Sequence, residues 1–506
     1  MSNVYPVIKL NPNDDVVIAR HPVAAGTFLA QESVTVRSDI PEGHKVSLRE
    51  ISAGEPVKRY GQIIGFATTD IHAGDHIHTH NMGMGDFTRD YAFGEDLTSL
   101  PAPEKIDTFM GIRRADGRVA TRNYIGILTS VNCSSTVARA IEDHYKKVGL
   151  DGYPNVDGVV ALPQSFGCAI GFDSESMMVM RRTMSGYARH VNFAGVVIIG
   201  LGCESSQIKD LIRVEGLTEG RTLHTMTIQE TGGTQKTIDK GISVIYGMLA
   251  EANCVKREPV PVSELMVALE CGGSDSYSGI SANPVLGYAA DKIVAQGGTA
   301  ILSETPEIYG AEHLLTRRAV SAEVGNKLVA RIKWWEDYCA RTQSEMNNNP
   351  SAGNKEGGLT TILEKSLGAI AKGGTSNLVD VYEYAQPVTA KGFVFMDTPG
   401  YDPVAVTGQI AGGANMLCFT TGRGSAFGCK PTPSLKLATN NTLWKRQEED
   451  MDINCGDVVE GEETIPEAGE RLYTMILEAA SGKKTKSEKF GYGGLEFVPW
   501  NINAIM

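Results

Sequence analysis

The chain begins with short β-branched runs and then changes its pattern. Within residues 1–90, VVIAR (16–20), VTVRS (34–38), KVSLREI (45–51) and PVKRYGQIIGFAT (56–68) have strand length, and Pro and Gly punctuate them at 41–43, 53–54 and 73–74. This predicts a small all-β module. Residues 91–108 hold two prolines and no periodicity, so they read as a linker. From 109 onward, near-continuous apolar runs alternate with amphipathic stretches. YIGILTSV (124–131) precedes SSTVARAIEDHYKKV (134–148), a Ser-initiated helix pattern. VDGVVALP, AGVVIIGL, ELMVALE, GTAILSE, KGFVFMD and ANMLCFT continue the series. Such runs are typical of parallel strands buried on both faces, with helices as crossovers. The prediction is α/β, with two mainly parallel-sheet domains at 109–258 and 259–506, divided near KREPVPVS (256–263). The polar loop EMNNNPSAGNKEGG (345–358) is too polar for a core and long enough to be functional.

Composition narrows the function classes. A length of 506 residues fits about three domains. The net charge of -13 argues against a nucleic-acid footprint, so an anionic small molecule would need local cations. The amino terminus lacks the basic and apolar segments of a signal peptide, and no run approaches the roughly 20 apolar residues of a membrane span. A cytoplasmic protein with no membrane partner is expected, and a homo-oligomeric state stays open. Nine scattered cysteines, an odd number, favour metal or catalytic use over disulfides.

Ligands of open α/β sheets bind outside the carboxyl ends of the strands. Cys133, Cys168, Cys203 and Cys271 each fall just past such an end, the last followed by Gly272, Gly273, Ser274 and Asp275. Glu304, Asp397 and Arg423 follow other strand ends. Cysteines are often small core hydrophobes, but these lie outside the apolar runs, three of them beside glycine, so a soft-ligand iron site competes with that reading. Thiolates also hold iron–sulfur clusters, yet no Cys-x-x-Cys spacing separates a cluster from a single iron or from free thiols. In the β module, His76 and His78 share a strand face about 6.6 Å apart and suit one metal; His80, about 13 Å from His76, joins only if the chain turns at Asn81. The alternative is a solvated polar edge. Gly43-His44-Lys45 offers an imidazole for proton transfer and an ammonium for a carboxylate, or else a surface turn. Asn354-Lys355 and Arg423 lie in Gly-rich loops suited to an anion. The nucleotide-binding motifs GxxxxGK[ST] and GxGxxG are both missing, which lowers a nucleotide ligand.

Long segments then resemble one family, the altronate/galactarate dehydratases: IPEGHKVSL, KRYGQIIGFA, GIRRADGRVATRNYIGI, IIGLGCE, LECGGSDSYSGISANPVLGYAAD, PSAGNKEGGLTTILEKSLG and FTTGRGSAFG. DIHAGDHIHTHN and PEIYGAEHLL resemble the altronate branch, whereas CKPTPSLKLATN and FGYGGLEFVPW depart from both branches. The resemblance implies an N-terminal SAF domain of β-clip type, a requirement for ferrous iron, and an aldonate substrate dehydrated to a 2-keto-3-deoxy acid; the cysteine pattern itself leaves an iron–sulfur cluster open as the form of the iron. For such a dehydration His44 is the leading acid/base candidate and Lys45 would hold carboxylate or enolate charge, so both are expected to be catalytic. Asn354, Lys355, Arg423, Ser274 and Asp275 would bind the sugar acid, and Cys133, Cys168, Cys203, Cys271, His76 and His78 would hold the metal. Hexarate dehydratases and sulfo-lyases of the same family remain alternatives. A non-catalytic sugar-acid binding protein and a nucleotide-linked dehydrogenase are the readings from other classes.

Overall fold

A computed structural model describes residues 4–85 and 89–502. The amino-terminal module is built from nine short strands: β1 (Val7–Ile8), β2 (Val16–Ala19), β3 (Phe28–Leu29), β4 (Val34–Thr35), β5 (Lys45–Ser47), β6 (Pro56–Arg59), β7 (Gln62–Ala67), β8 (His76–Ile77) and β9 (Met82–Gly83). They pair antiparallel in the orders β1-β2-β5-β8, β6-β7-β9 and β3-β4. Strands of two to six residues cannot bury much on their own. The module therefore shares a core with the rest of the chain: Val16, Ile51, Val57, Ile64 and Ile77 pack with Ala311 and Leu367. Each such side chain contributes about 1.5–3 kcal/mol on full burial, so the docking is strongly stabilised.

Residues 91–107 contain no strand or helix, as expected of a connection. They are pinned, however: Tyr91 donates to Glu312, Arg317 pairs with Asp96, and Thr98 bonds Asn377 and Thr375. β10 (Thr108–Arg113) and β11 (Val119–Ala120) then lead into four parallel strands, β12 (Tyr124–Thr129), β13 (Gly158–Leu162), β14 (Phe193–Gly200) and β15 (Leu223–Thr227), in the order β13-β12-β14-β15. All six residues of β12 are buried, which is why it reads as an unbroken apolar run. Its crossover helix α1 (Ser135–Val148) buries Val137, Ala138, Ile141 and Tyr145, the face its spacing predicts.

β16 (Arg257–Pro261) returns antiparallel to β10, with Phe109 opposite Val260, so the strands that enter and leave the smaller α/β unit lie in one small sheet. The division expected at 258/259 falls inside β16. The larger unit has seven parallel strands: β17 (Met266–Cys271), β18 (Thr299–Leu302), β19 (Leu378–Tyr382), β20 (Gly392–Met396), β21 (Met416–Thr421), β22 (Ser434–Ala438) and β23 (Ile453–Asn454), in the order β19-β20-β18-β17-β21-β22-β23. From β17 the chain builds one wing, then crosses to build the other. The strand order therefore reverses between β17 and β21, which is where α/β sheets open a ligand crevice. The smaller sheet reverses likewise between β12 and β14. Among the described residues, no helix is long and apolar enough to cross a membrane.

Candidate functional site

At the reversal of the seven-stranded sheet, β17 ends in Glu270 and Cys271, and β18 is followed by Glu304 and Glu307. Among the described residues, Cys271, Glu304 and Glu307 are the set of three potential ligating atoms lying within 4.8 Å of one another, all buried. Lys372 Nζ stands 2.9 Å from Cys271 Sγ and 3.5 Å from Glu304. Lys365 Nζ donates to Glu307 at 2.6 Å and to Asn349 at 2.9 Å. Gly272 lets Asp402 close in, since a Cβ there would meet an Asp402 oxygen at 1.9 Å. Glu304 takes φ +68°, a region bulky residues avoid, and its Oε1 is buried without a partner.

Burial and mutual repulsion split these carboxyls. Burial, with Glu270 and Glu307 adding to it, pushes Glu304 well above the ordinary range. Burial raises Glu270 to about 7, against the pull of Lys372. Burial and the neighbouring Glu307 raise Asp402 to about 6. Burial would raise Glu307 too, but Lys365 and Lys372 hold it below its usual value. Burial pushes the Cys271 thiol up. At neutral pH one carboxyl can thus donate a proton while another accepts one, the arrangement general acid–base chemistry needs. Asp402 and Asn349 keep partial exposure at the rim.

A second group lies on the β module. Register places His44 opposite His78, because Lys45 pairs with Ile77 across β5 and β8. His44 Nδ1 lies 3.0 Å from His76 Nε2, and His44 Nε2 lies 3.2 Å from the Glu356 carbonyl. The His78 ring meets His44 edge-on at 4.8 Å between centroids and stacks on His76 at 5.7 Å. The chain does turn after β8, with Asn81 and Met82 bonding back to the His78 carbonyl, and this brings His80 to 5.3 Å from His76. Burial first, then the neighbouring histidines and Lys45, lowers His76 to about 3 and His78 to about 4, so both stay neutral at neutral pH. His78 Nδ1 is buried without a partner.

These donors fit a divalent ion. Two imidazole nitrogens at about 2.1 Å from one metal stand about 3 Å apart, as His44 and His76 do. The Glu356 carbonyl would fix the His44 tautomer from behind, as outer partners of metal-bound histidines do. The Cys271 group fits an ion less well, because the Lys372 ammonium already supplies the positive charge there.

Several expected site residues have other partners. Lys45 is fully buried and donates to Glu364 Oε1 and Oε2 at 2.9 Å and to the Gly358 carbonyl at 2.6 Å. Its three protons are taken, and the carboxylate it holds belongs to the chain itself. Arg59 bonds the same Glu364 at 2.7 Å. Asp275 accepts from Thr439, Asn440, Ser278 and the Tyr277 amide, which fixes its loop rather than offering it to a ligand. Asn354 closes a capping box with Ser351 and donates to the Ser274 carbonyl, so its amide is occupied as well. Ser274 Oγ is buried and unpartnered. Half-buried Lys355 follows Asn354, and exposed Arg423 pairs with Glu356 at 3.2 Å, next to the carbonyl that His44 meets. His44, Ser274, Lys355 and Arg423 therefore border one region. The four cysteines expected to share one iron divide: Cys271 is buried on the larger sheet, while Cys133, Cys168 and Cys203 are exposed on the smaller one. Asp397 and Glu204 also serve the scaffold, Asp397 accepting from Thr305 and Trp335, Glu204 from Ser130 and the Gly202 amide.

Sequence reasoning missed Glu270, Glu307, Lys365, Lys372 and Asp402 as a unit. Lys365 and Lys372 are seven residues apart in a helical stretch and so share a face, which was a usable signal. Nothing local marks Glu270, inside an apolar strand.

The chain matches known proteins over most of its length. The Altronate/galactarate dehydratase SAF domain matches residues 5–85. The second domain of D-galactarate dehydratase/Altronate hydrolase matches 111–253, and the D-galactarate/Altronate dehydratase C-terminal domain matches 262–505. Altronate dehydratase of Escherichia coli (strain K12) is 36% identical over 487 residues, covering 95% of this chain and 96% of the relative. Galactarate dehydratase (L-threo-forming) of the same strain is 37% identical over 502 residues, 96% of this chain and 94% of that one. The beta subunit of (2R)-sulfolactate sulfo-lyase from Chromohalobacter salexigens is 34% identical over 397 residues, 77% of this chain and 96% of the subunit. With matches of this extent across the β module, both sheets and the buried site between them, the chain belongs to the altronate/galactarate dehydratase family.

Proposed function

We propose that the chain is a hydro-lyase that dehydrates an aldonate such as altronate to a 2-keto-3-deoxy acid. The observation that carries this reading is the split carboxyl set at the ends of β17 and β18, with neutral Glu304 and Asp402 near 6, beside two buried ammonium groups. Dehydration needs a base for the weakly acidic C2 proton and an acid for the departing C3 hydroxyl. Asp402, ionised at neutral pH, takes the C2 proton. Glu304 gives its proton to the C3 oxygen, which leaves as water, and the enol that remains takes a proton at C3 to become the keto acid. Lys365 and Lys372 keep the pocket cationic while the substrate carries negative charge. Arg423 and Lys355, at the rim, face the carboxylate, and Ser274 Oγ offers a hydrogen bond to a sugar hydroxyl. His44 and His76, with His78 beside them, would hold the ferrous ion, whose chemistry when bound is to polarise the carboxylate or the leaving oxygen. His44 is then a ligand held in one tautomer rather than the proton carrier.

The test is anaerobic, ferrous-loaded protein offered a panel of hexonates, hexarates and sulfolactate. Formation of a 2-keto-3-deoxy acid from an aldonate is expected, lost on ferrous chelation and restored by Fe(II). Sulfite release, or binding without turnover, would contradict it.

A further inference from the structure

Arg331 plays no part in the dehydration reading, yet it stands at a built crevice. Helix Ala322–Arg341 sets Lys327, Arg331 and Trp334 along one face, at helical spacings of four and three. Two cavities open there, of about 360 and 170 Å³, and Arg331 and Glu383 line both. They lie just past the carboxyl ends of β19 and β20, the edge at which α/β sheets take ligands. Helix Glu175–Ala188 of the smaller unit supplies the opposite wall through Arg182.

The cations of this crevice are not used alike. Lys327 donates to Asp380 at 2.9 Å, and Arg182 donates to Glu383 at 2.7 Å. Arg331 makes no hydrogen bond among the described residues: Asp397 Oδ2 and Glu383 Oε1 stand off from it at 3.8 and 3.9 Å. Asp397 Oδ1 accepts from Thr305 and Trp335, whereas its Oδ2 faces that distant guanidinium. The gaps are too wide for direct hydrogen bonds. They suit an inserted hydroxyl, which can accept from the guanidinium and donate to the carboxylate at once. Trp334, Tyr384 and Trp500 line the smaller cavity, with the last two rings 5.4 Å apart. Aromatic walls around a few convergent polar groups are the make-up of a small-molecule site. Each cation already faces a carboxylate, so none is left over for an anion. A sugar acid is therefore poorly matched, and a neutral polyol fits.

The crevice is tied to the acid and base of the dehydration reading. Asp397 holds Thr305, the neighbour of Glu304, whose amide donates to Thr398 Oγ1 at 2.9 Å. The Thr305 amide donates to the Thr398 carbonyl at 3.0 Å. The same short segment, residues 397–402, ends at Asp402.

We infer that Arg331 and Asp397, with the ring wall of Trp334, Tyr384 and Trp500, form a second binding site, for a neutral polyol of sugar size, whose occupancy is transmitted along residues 397–402. It goes beyond the dehydration reading and stands without it.

The test is titration of the full chain with neutral sugars and alditols (D-glucose, D-mannose and D-mannitol), read by tryptophan emission, with D-gluconate as the charged comparison. Trp334, Trp335 and Trp500 are three of the four tryptophans, so emission reports this crevice. A saturable change with at least one neutral polyol is expected, and the same change should need at least about tenfold more gluconate. Arg331→Met should weaken the polyol about 10-fold or more, the loss expected for hydrogen bonds to a charged group. Trp444→Phe, at the tryptophan that lies beneath Lys486, should keep the signal. Hydrogen exchange on the wild type needs no variant to fold: the saturating polyol should slow exchange across residues 397–402. A response that never saturates, gluconate acting as tightly as the polyol, unchanged binding by a folded Arg331→Met, or unaltered exchange would each overturn the inference. Neither readout involves turnover, so failure of this site and failure of the dehydration reading are told apart.

Discussion

At the scale of single residues, reactivity here depends on which groups are left without partners. His44 and Lys45 are adjacent, yet Lys45 is consumed by Glu364 while the His44 Nδ1 lone pair meets only His76. Lys45→Met should therefore act on stability and leave KM nearly unchanged, as measured by denaturation and steady-state kinetics side by side. His76→Ala should remove bound ferrous iron and lower kcat by at least about 10²-fold, with the circular dichroism of wild type. Retained iron at normal affinity would take the ion away from the histidines. The pattern of residues could place His44 and His76 in one module, but not which nitrogens meet. That depends on the register of β5 against β8 and on the turn after His78, which only a folded chain fixes.

At the scale of elements, helix Ile362–Ala369 joins the two halves of the site. Glu364 faces the β module and holds Lys45 and Arg59, while the next residue, Lys365, faces Glu307. Both cations and the carboxylate are nearly inaccessible, so removing the shared partner leaves buried charge uncompensated. Glu364→Gln should destabilise the protein by about 3–5 kcal/mol in denaturant titrations. Burial alone would raise Glu364, but Lys45 and Arg59 pull it down to about 2. Its ordinary value is about 4.3, so its contribution is complete above that and fades as pH falls through about 2. The wild type should thus lose stability towards pH 2 more steeply than Glu364→Gln. Equal acid profiles would remove Glu364 from this role.

At the scale of the whole molecule, the alternation of apolar runs made the parallel sheets and the β module legible, because buried strands leave a continuous apolar signature. The strand order did not show in the sequence. Grouping four cysteines as one site followed from that gap, since the ends of two different sheets look alike in a linear chain. The buried acid cluster was hidden for a related reason: Glu270, Glu304 and Lys372 come from distant segments and meet only at the reversal beside β17. The β module is also less separable than its boundary suggests, because Ile64 and Leu367 share a core and Tyr277 donates to the Ala19 and Arg20 carbonyls. A chain cut after residue 85 should stay associated through gel filtration, and removal of residues 1–85 should lower the unfolding temperature of the remainder. Free separation of the two parts would contradict the shared core.

The account as a whole turns on Asp402 as the base in a dehydration. The most direct measurement is kcat against pH for wild type and Asp402→Asn on the preferred aldonate, with ferrous content matched. The account predicts that wild-type kcat rises with pH through about 6, where Asp402 ionises. In the variant that limb should vanish and kcat should fall by about 10²–10⁴-fold with substrate affinity little changed. An Asp402→Asn enzyme that still dehydrates the aldonate within about threefold of wild type, with the same limb in its pH profile, would contradict it.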